Sequence, residues 1–114
     1  MNPVRSGPST WPDASPGNPA PAVRFLDNVL DRTRFPFPAI ETQTKLTRKI
    51  GLGIMGFADL LIQLGIPYDT DEALQIADRL MAFIKSHAHE ASHELAQERG
   101  VFPAYKGSRL QARG

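Results

Sequence analysis

Two short patterns in this chain carry residue types that could do chemistry. The first is His89-Glu90-Ala91-Ser92-His93, which fits H-E-x-x-H. On a helix, two histidines one turn apart can share a zinc ion while the glutamate between them acts as general base toward a bound water. The rest of the chain argues against it. No His, Asp or Glu follows Glu98, so neither common downstream third ligand is present. Glu94 stands directly after the second histidine, where such helices usually carry an apolar residue. The second pattern is Gly51-Leu52-Gly53-Ile54-Met55-Gly56, a G-x-G-x-x-G with Asp71 about twenty residues on, the spacing of a dinucleotide-binding turn. Its context fails: Leu46-Thr47-Arg48-Lys49-Ile50 is too charged for a central parallel strand buried on both faces, and no second strand separates the following helix from Asp71.

The remaining polar groups have plainer roles. Asp69, Asp71 and Glu72 stand where a helix begins, and serve its N-terminal dipole better than paired-carboxylate catalysis. His87 lies at the edge of an apolar stripe, an ordinary boundary position. Lys106, Arg109 and Arg113 make a modest basic tail that reads as a solvated terminus. Cysteine is absent, which removes thiol nucleophiles, disulfides and any sulfur-centred radical from these residues.

The elements that would hold these groups follow from periodicity. Val23, Phe25, Leu26, Val29 and Leu30 recur at helical spacing and predict a short amphipathic helix that ends by Arg34. Phe35-Pro36-Phe37-Pro38 forces an extended connector, because each proline pushes its predecessor out of the α region. A second helix over about Ile40–Arg48 and a strand near Lys49–Met55 come next. Phe57–Leu64 reads as a helix closed by Gly65, with Pro67 preventing its restart. Asp69 with Glu72 three residues later resembles a capping box opening a long helix to about Arg99, stopped by Gly100. At ~100° per residue, Ala77, Ile84, Ala88, Ala91 and Leu95 share one face of that helix, with Leu74 and Leu80 at its margins and Ile76 and Phe83 off it. His89 and His93 fall ~120° and ~160° from the stripe, so they are expected to face solvent.

Residues 1–21 hold six of the ten prolines and almost no aliphatic side chains, a composition that cannot bury enough apolar surface to offset chain ordering. They are expected to form a disordered leader, with Trp11 an incidental exposed aromatic and order beginning near Ala22. A net charge of +1 gives no electrostatic reason to expect nucleic acid or an acidic membrane. No apolar run approaches the ~18 residues of a membrane helix, and no secretory leader is visible, so the cytoplasm is the default compartment.

The order and wording of several blocks carry a resemblance. RFLDNVLD at Arg24–Asp31, FPFPAIETQTKLTRKIG, the run RKIGLGIMGFADLLIQLGIPYD at Arg48–Asp69, DEALQIADRLMAFIKSHAHEASHELAQERG and VFPAYKGSRL appear in sequence. Together they resemble the large subunit of ribonucleotide reductase, in wording most like its adenosylcobalamin-dependent branch; the class I large chain shares the same barrel. The resemblance implies a ten-stranded α/β barrel, of which residues 22–114 would supply one strand and flanking helices, so the chain itself is expected to be mainly α. It also implies reduction of ribonucleotides to deoxyribonucleotides for DNA synthesis, by a cysteine thiyl radical that abstracts the ribose 3′ hydrogen and a further cysteine pair that delivers electrons.

None of those cysteines is in this sequence. By the resemblance, a cysteine-bearing loop is expected upstream of Arg24 and a phosphate-binding loop after Gly114. No catalytic, cofactor-binding or metal residue therefore carries over. The expectation is a barrel fragment that is inactive alone and binds no cofactor, with adenosylcobalamin and ribonucleotide belonging to the intact enzyme and the remainder of the barrel as partner. Two other classes stay open on the residues alone: a small non-catalytic helical interaction protein, and a zinc hydrolase built on His89 and His93.

Overall fold

The computed structural model describes residues 18–112. Trp11 and Arg113, and most of the expected leader, lie outside them. Helix α1 spans Ala20–Arg32, α2 Pro38–Thr47, α3 Phe57–Leu64 and α4 Asp71–Arg99. A 3₁₀ turn at Pro103–Tyr105 and a helical turn, α5, at Arg109–Ala112 complete the order among the described residues.

Each start and stop has a local cause. Asn18 Oδ1 accepts the Ala20 N–H at 2.8 Å, so α1 begins two residues before the expected boundary at Ala22, with Pro21 in its first turn where a missing N–H costs nothing. Helix α2 likewise opens with Pro38 behind an extended Phe37, so it starts two residues earlier than Ile40. Gly65 closes α3 with a left-handed φ of 70°. Its N–H bonds Ile62 O and the Ile66 N–H reaches back to Leu61 O at 2.9 Å, a Schellman arrangement that only a residue tolerant of positive φ completes without strain. Leu61, at the origin of that bond, is the most buried large side chain.

The start of α4 differs from the capping box expected at Asp69 and Glu72. Thr70 is the cap: its Oγ1 accepts the Ala73 N–H at 3.3 Å and donates to Pro67 O at 2.7 Å, tying the helix start to the preceding turn. Both Asp69 and Thr70 are residue types that cap helices, and the contact with Pro67 is what favours the second.

One face of α4 packs, as its periodicity requires. Ala91 and Leu95 close on Val23 of α1, with Ala20 and Ala88 at the margins. Two ion pairs flank this seam, joining Arg24 to Glu98 and Asp27 to Arg99. Small side chains along α4 let α1 lie close, and the apolar area removed from water supplies the attraction. Toward its N-terminus the same helix leaves Leu74 68% exposed.

The expected strand at Lys49–Met55 is not formed. The segment has no regular secondary structure and no backbone hydrogen bond to another described residue. A strand exists only through a neighbour that accepts its N–H groups, and no described residue supplies one. The described residues are therefore helices and connectors, and the barrel is not visible in them.

Candidate functional site

An open cleft of about 670 Å³ lies beside the α1–α4 seam. Val23, Asp27 and Asp31 of α1 form one wall, and His89, His93, Leu95 and Arg99 of α4 another. Arg48, Ile50 and the segment Gly100–Pro103 with Tyr105 close the rest. The ring of Phe102 meets that of Tyr105 edge-on at 5.6 Å, which stiffens that floor.

The charged end of the cleft is one connected network. Arg48 donates from Nε and Nη2 to Asp27 Oδ1 at 3.1 and 2.7 Å, and from Nη2 to the Asp27 carbonyl at 3.2 Å. Its Nη1 donates to Asp31 Oδ1 at 2.8 Å. The other oxygen of Asp27 accepts Arg99 Nη1 at 2.7 Å. The two carboxylates and Arg48 thus fasten α1 to the end of α2, while Arg99 fastens the same helix to the end of α4. Hydrogen bonds to Asp31 and then Asp27 raise the Arg48 pKa still further above its ordinary value, and Arg48 in turn lowers that of Asp31. A guanidinium held so firmly protonated moves no protons, so Arg48 orients the helices it joins and does no acid–base chemistry.

Arg48 also sits at the C-cap of α2 in the left-handed region, φ 44° and ψ 44°, the only non-glycine residue with positive φ among those described. Its N–H closes on Thr44 O at 2.8 Å. The sequence does hold a signal for this network. Asp27 and Asp31 are like charges four apart on one helix face, a destabilising pair in isolation that calls for a cation. Which cation answers is not written locally, since Arg48 is 21 residues from Asp27 and Arg99 is 72.

The sequence motifs land in the following places. His89 and His93 are exposed on α4, as the angular count requires, and both border the cleft. Among the described residues no group of three His, Asp or Glu is placed to hold a metal ion. His87 is half-buried; its Nδ1 lies 3.0 Å from the Phe83 carbonyl, to which it donates, and its ring packs on Phe83 at 4.1 Å. Asp69, Asp71 and Glu72 are exposed around the start of α4, and Lys106 and Arg109 are exposed near the end of the described chain.

Gly51, Gly53 and Gly56 form an exposed connector between α2 and α3. A Cβ built on Gly51 or Gly53 would meet nothing within 4 Å. The close backbone approach that glycine permits is therefore not made at Gly51 or Gly53 among the described residues. Ile50, Leu52 and Ile54 are each about 40% exposed and Met55 wholly so.

A segment that is apolar and glycine-spaced yet unpaired is one that a larger sheet would use, and comparison with known proteins gives the same context. The description "Ribonucleotide reductase, barrel domain" matches residues 20–113. The chain belongs to the ribonucleotide reductase family. It is 55% identical over 93 residues to the vitamin B12-dependent ribonucleoside-diphosphate reductase of Thermoplasma acidophilum, and 56% identical over the same length to that of Mycobacterium tuberculosis. Each alignment covers 82% of this chain but only 12% and 13% of the relative. Identity to the reductase subunit alpha of Chlamydia pneumoniae is 41% over 88 residues, 77% of this chain and 8% of that protein. The reductase family thus accounts for α1 through α5, while the chain spans about an eighth of the length of its B12-dependent relatives.

Proposed function

We propose that residues 22–114 serve as one segment of the barrel of a B12-dependent ribonucleoside-diphosphate reductase, and that residues 1–21 lie outside that barrel. In this reading Lys49–Met55 becomes a barrel strand once neighbouring strands accept its backbone, and α3 and α4 cover the barrel's outside. The observation that carries the reading is the state of that segment: six consecutive non-polar or glycine positions, Ile50 to Met55, exposed between two ordered helices, with no backbone partner among the described residues. Unpaired backbone beside apolar side chains is what a strand presents when its sheet is missing.

The chain supplies framework to the reaction and no reacting group. Sulfur chemistry requires cysteine, and the sequence has none, so these residues do not fit an adenosylcobalamin site that works through a thiol. The cofactor and the ribonucleotide are assigned to the assembled protein, in the cytoplasm, and no step of the reduction is routed through Arg48, His89 or His93. No described helix is long and apolar enough to cross a membrane.

Complementation tests the proposal. A B12-dependent reductase from which the segment corresponding to residues 22–114 has been removed is mixed with this chain, adenosylcobalamin, a dithiol and a ribonucleoside diphosphate. Recovery of deoxynucleotide formation is the expected result. No recovery, with the uncut reductase active under the same conditions, would overturn it.

A further inference from the structure

We propose that Arg48 is a positioning residue: its fork on Asp27 and Asp31 fixes the direction in which Lys49–Gly56 leaves α2. The inference rests on the barrel reading only for what the segment is aimed at; the aiming itself belongs to this chain.

The geometry supplies two facts that a helix end alone does not need. A left-handed C-cap is a position where glycine is at ease and a long side chain is not, yet arginine occupies it. The guanidinium then folds back across α1, donating to both oxygens of Asp31, to Asp27 Oδ1 and to the Asp27 main-chain carbonyl. With its backbone turned left-handed and its side chain anchored on a helix held against α4, the residue has little rotational freedom. Lys49 therefore departs at a fixed angle although Lys49–Met55 makes no backbone hydrogen bond to another described residue. A strand that must join a sheet loses less entropy when one end is already aimed.

Two roles for Arg48 predict opposite results for Arg48→Gly. If the position served only the left-handed turn, glycine would relax it and Lys49–Gly56 would be as ordered as before or more so. If the fork aims the segment, glycine frees it. The readout is limited thermolysin digestion, followed by mass spectrometry, at Ile50, Leu52, Ile54 and Met55, scored relative to cuts elsewhere in the chain. A protease cuts at a rate set by how often the segment opens.

We expect Arg48→Gly to raise the relative rate by roughly tenfold, a ratio equivalent to about 1.4 kcal/mol, and Arg48→Lys, which keeps charge but loses the fork, to recover part of the protection. Helical circular dichroism separates this effect from general unfolding. If Arg48→Gly fails to fold, Asp31→Asn reports instead, since it removes one half-exposed acceptor and leaves the backbone untouched; a smaller rise is expected. An unchanged or slower rate in the variant that folds overturns the proposal. Adding each variant to the complementation mixture keeps the two ideas apart. If wild type restores no activity, the barrel reading fails while the digestion result stands. If wild type restores it, Arg48→Gly should lower the yield at equal chain concentration and regain part of it at excess chain.

Discussion

Replacing Leu95 by alanine should remove a large share of what holds this chain together. Leu95 is 8% exposed and closes the α1–α4 seam with Val23 and Ala91. Buried Leu→Ala changes cost ~2–5 kcal/mol, the upper part arising from a sealed cavity. Here the space would open toward the cleft that Leu95 lines, so the transfer part dominates and about 2–3 kcal/mol is expected. Domains of this size have a total of only roughly 5–15 kcal/mol, and this one, with few apolar side chains buried, stands at the low end. The thermal midpoint should therefore fall by on the order of 10–20 °C. Leu74→Ala is the control: the same chemical change on the same helix, at a side chain 68% exposed, expected to cost within about 0.5 kcal/mol. Urea and thermal unfolding by far-UV circular dichroism measure both. Equal shifts in the two variants would refute the seam as the main source of stability.

The purified chain alone should form no deoxynucleotide with adenosylcobalamin and dithiol, and product above the blank would count against a purely framework role. Zinc content should be well below one per chain, with His93→Ala leaving stability unchanged; tight stoichiometric zinc and a hydrolytic activity lost in that variant would revive the paired histidines. Because Arg48 lowers the Asp31 pKa, that pair stabilises the chain above the ordinary carboxylate value of about 3.9 and is lost as pH falls through the lowered folded value. Wild type should thus exceed Asp31→Asn in unfolding free energy, measured in urea at neutral pH, by less than about 1 kcal/mol, and the gap should close in acid; a gap that widens there would contradict the sign. Exposed apolar side chains such as Phe25, Phe37, Ile62 and Met55 should give concentration-dependent oligomers and binding of an apolar dye, measured by sedimentation and fluorescence; a strictly monomeric, dye-silent chain would count against an unfinished barrel surface.

Helices could be read from the sequence because their hydrogen bonds and most of their apolar spacing are local. The spacing of Val23, Leu26 and Leu30 found α1, and the angular count on α4 put Ala88, Ala91 and Leu95 inward and His89 and His93 outward. Lys49–Met55 failed for a physical reason: its strand signal describes what a sheet would accept, and pairing needs strands from elsewhere. Thr70 was missed beside Asp69 because either side chain can cap, and only the Pro67 carbonyl distinguishes them. Within the candidate site, the histidines and glycines were visible by type. The Arg48–Asp27–Arg99 network was not, since ion pairs between residues 21 and 72 positions apart depend on how α1 lies against its neighbours.

Met55 stands wholly in solvent at the end of the unpaired segment. Its thioether is open to peroxide, and the sulfoxide that forms is polar and chiral where the methionine was flexible and apolar. Oxidation at this one atom would write a chemical record of the time the segment spends uncovered. It would also place a polar oxygen where an incoming strand expects an apolar side chain. The same exposure that leaves the segment ready to be completed makes it, among the described residues, the part most easily spoiled by storage in air.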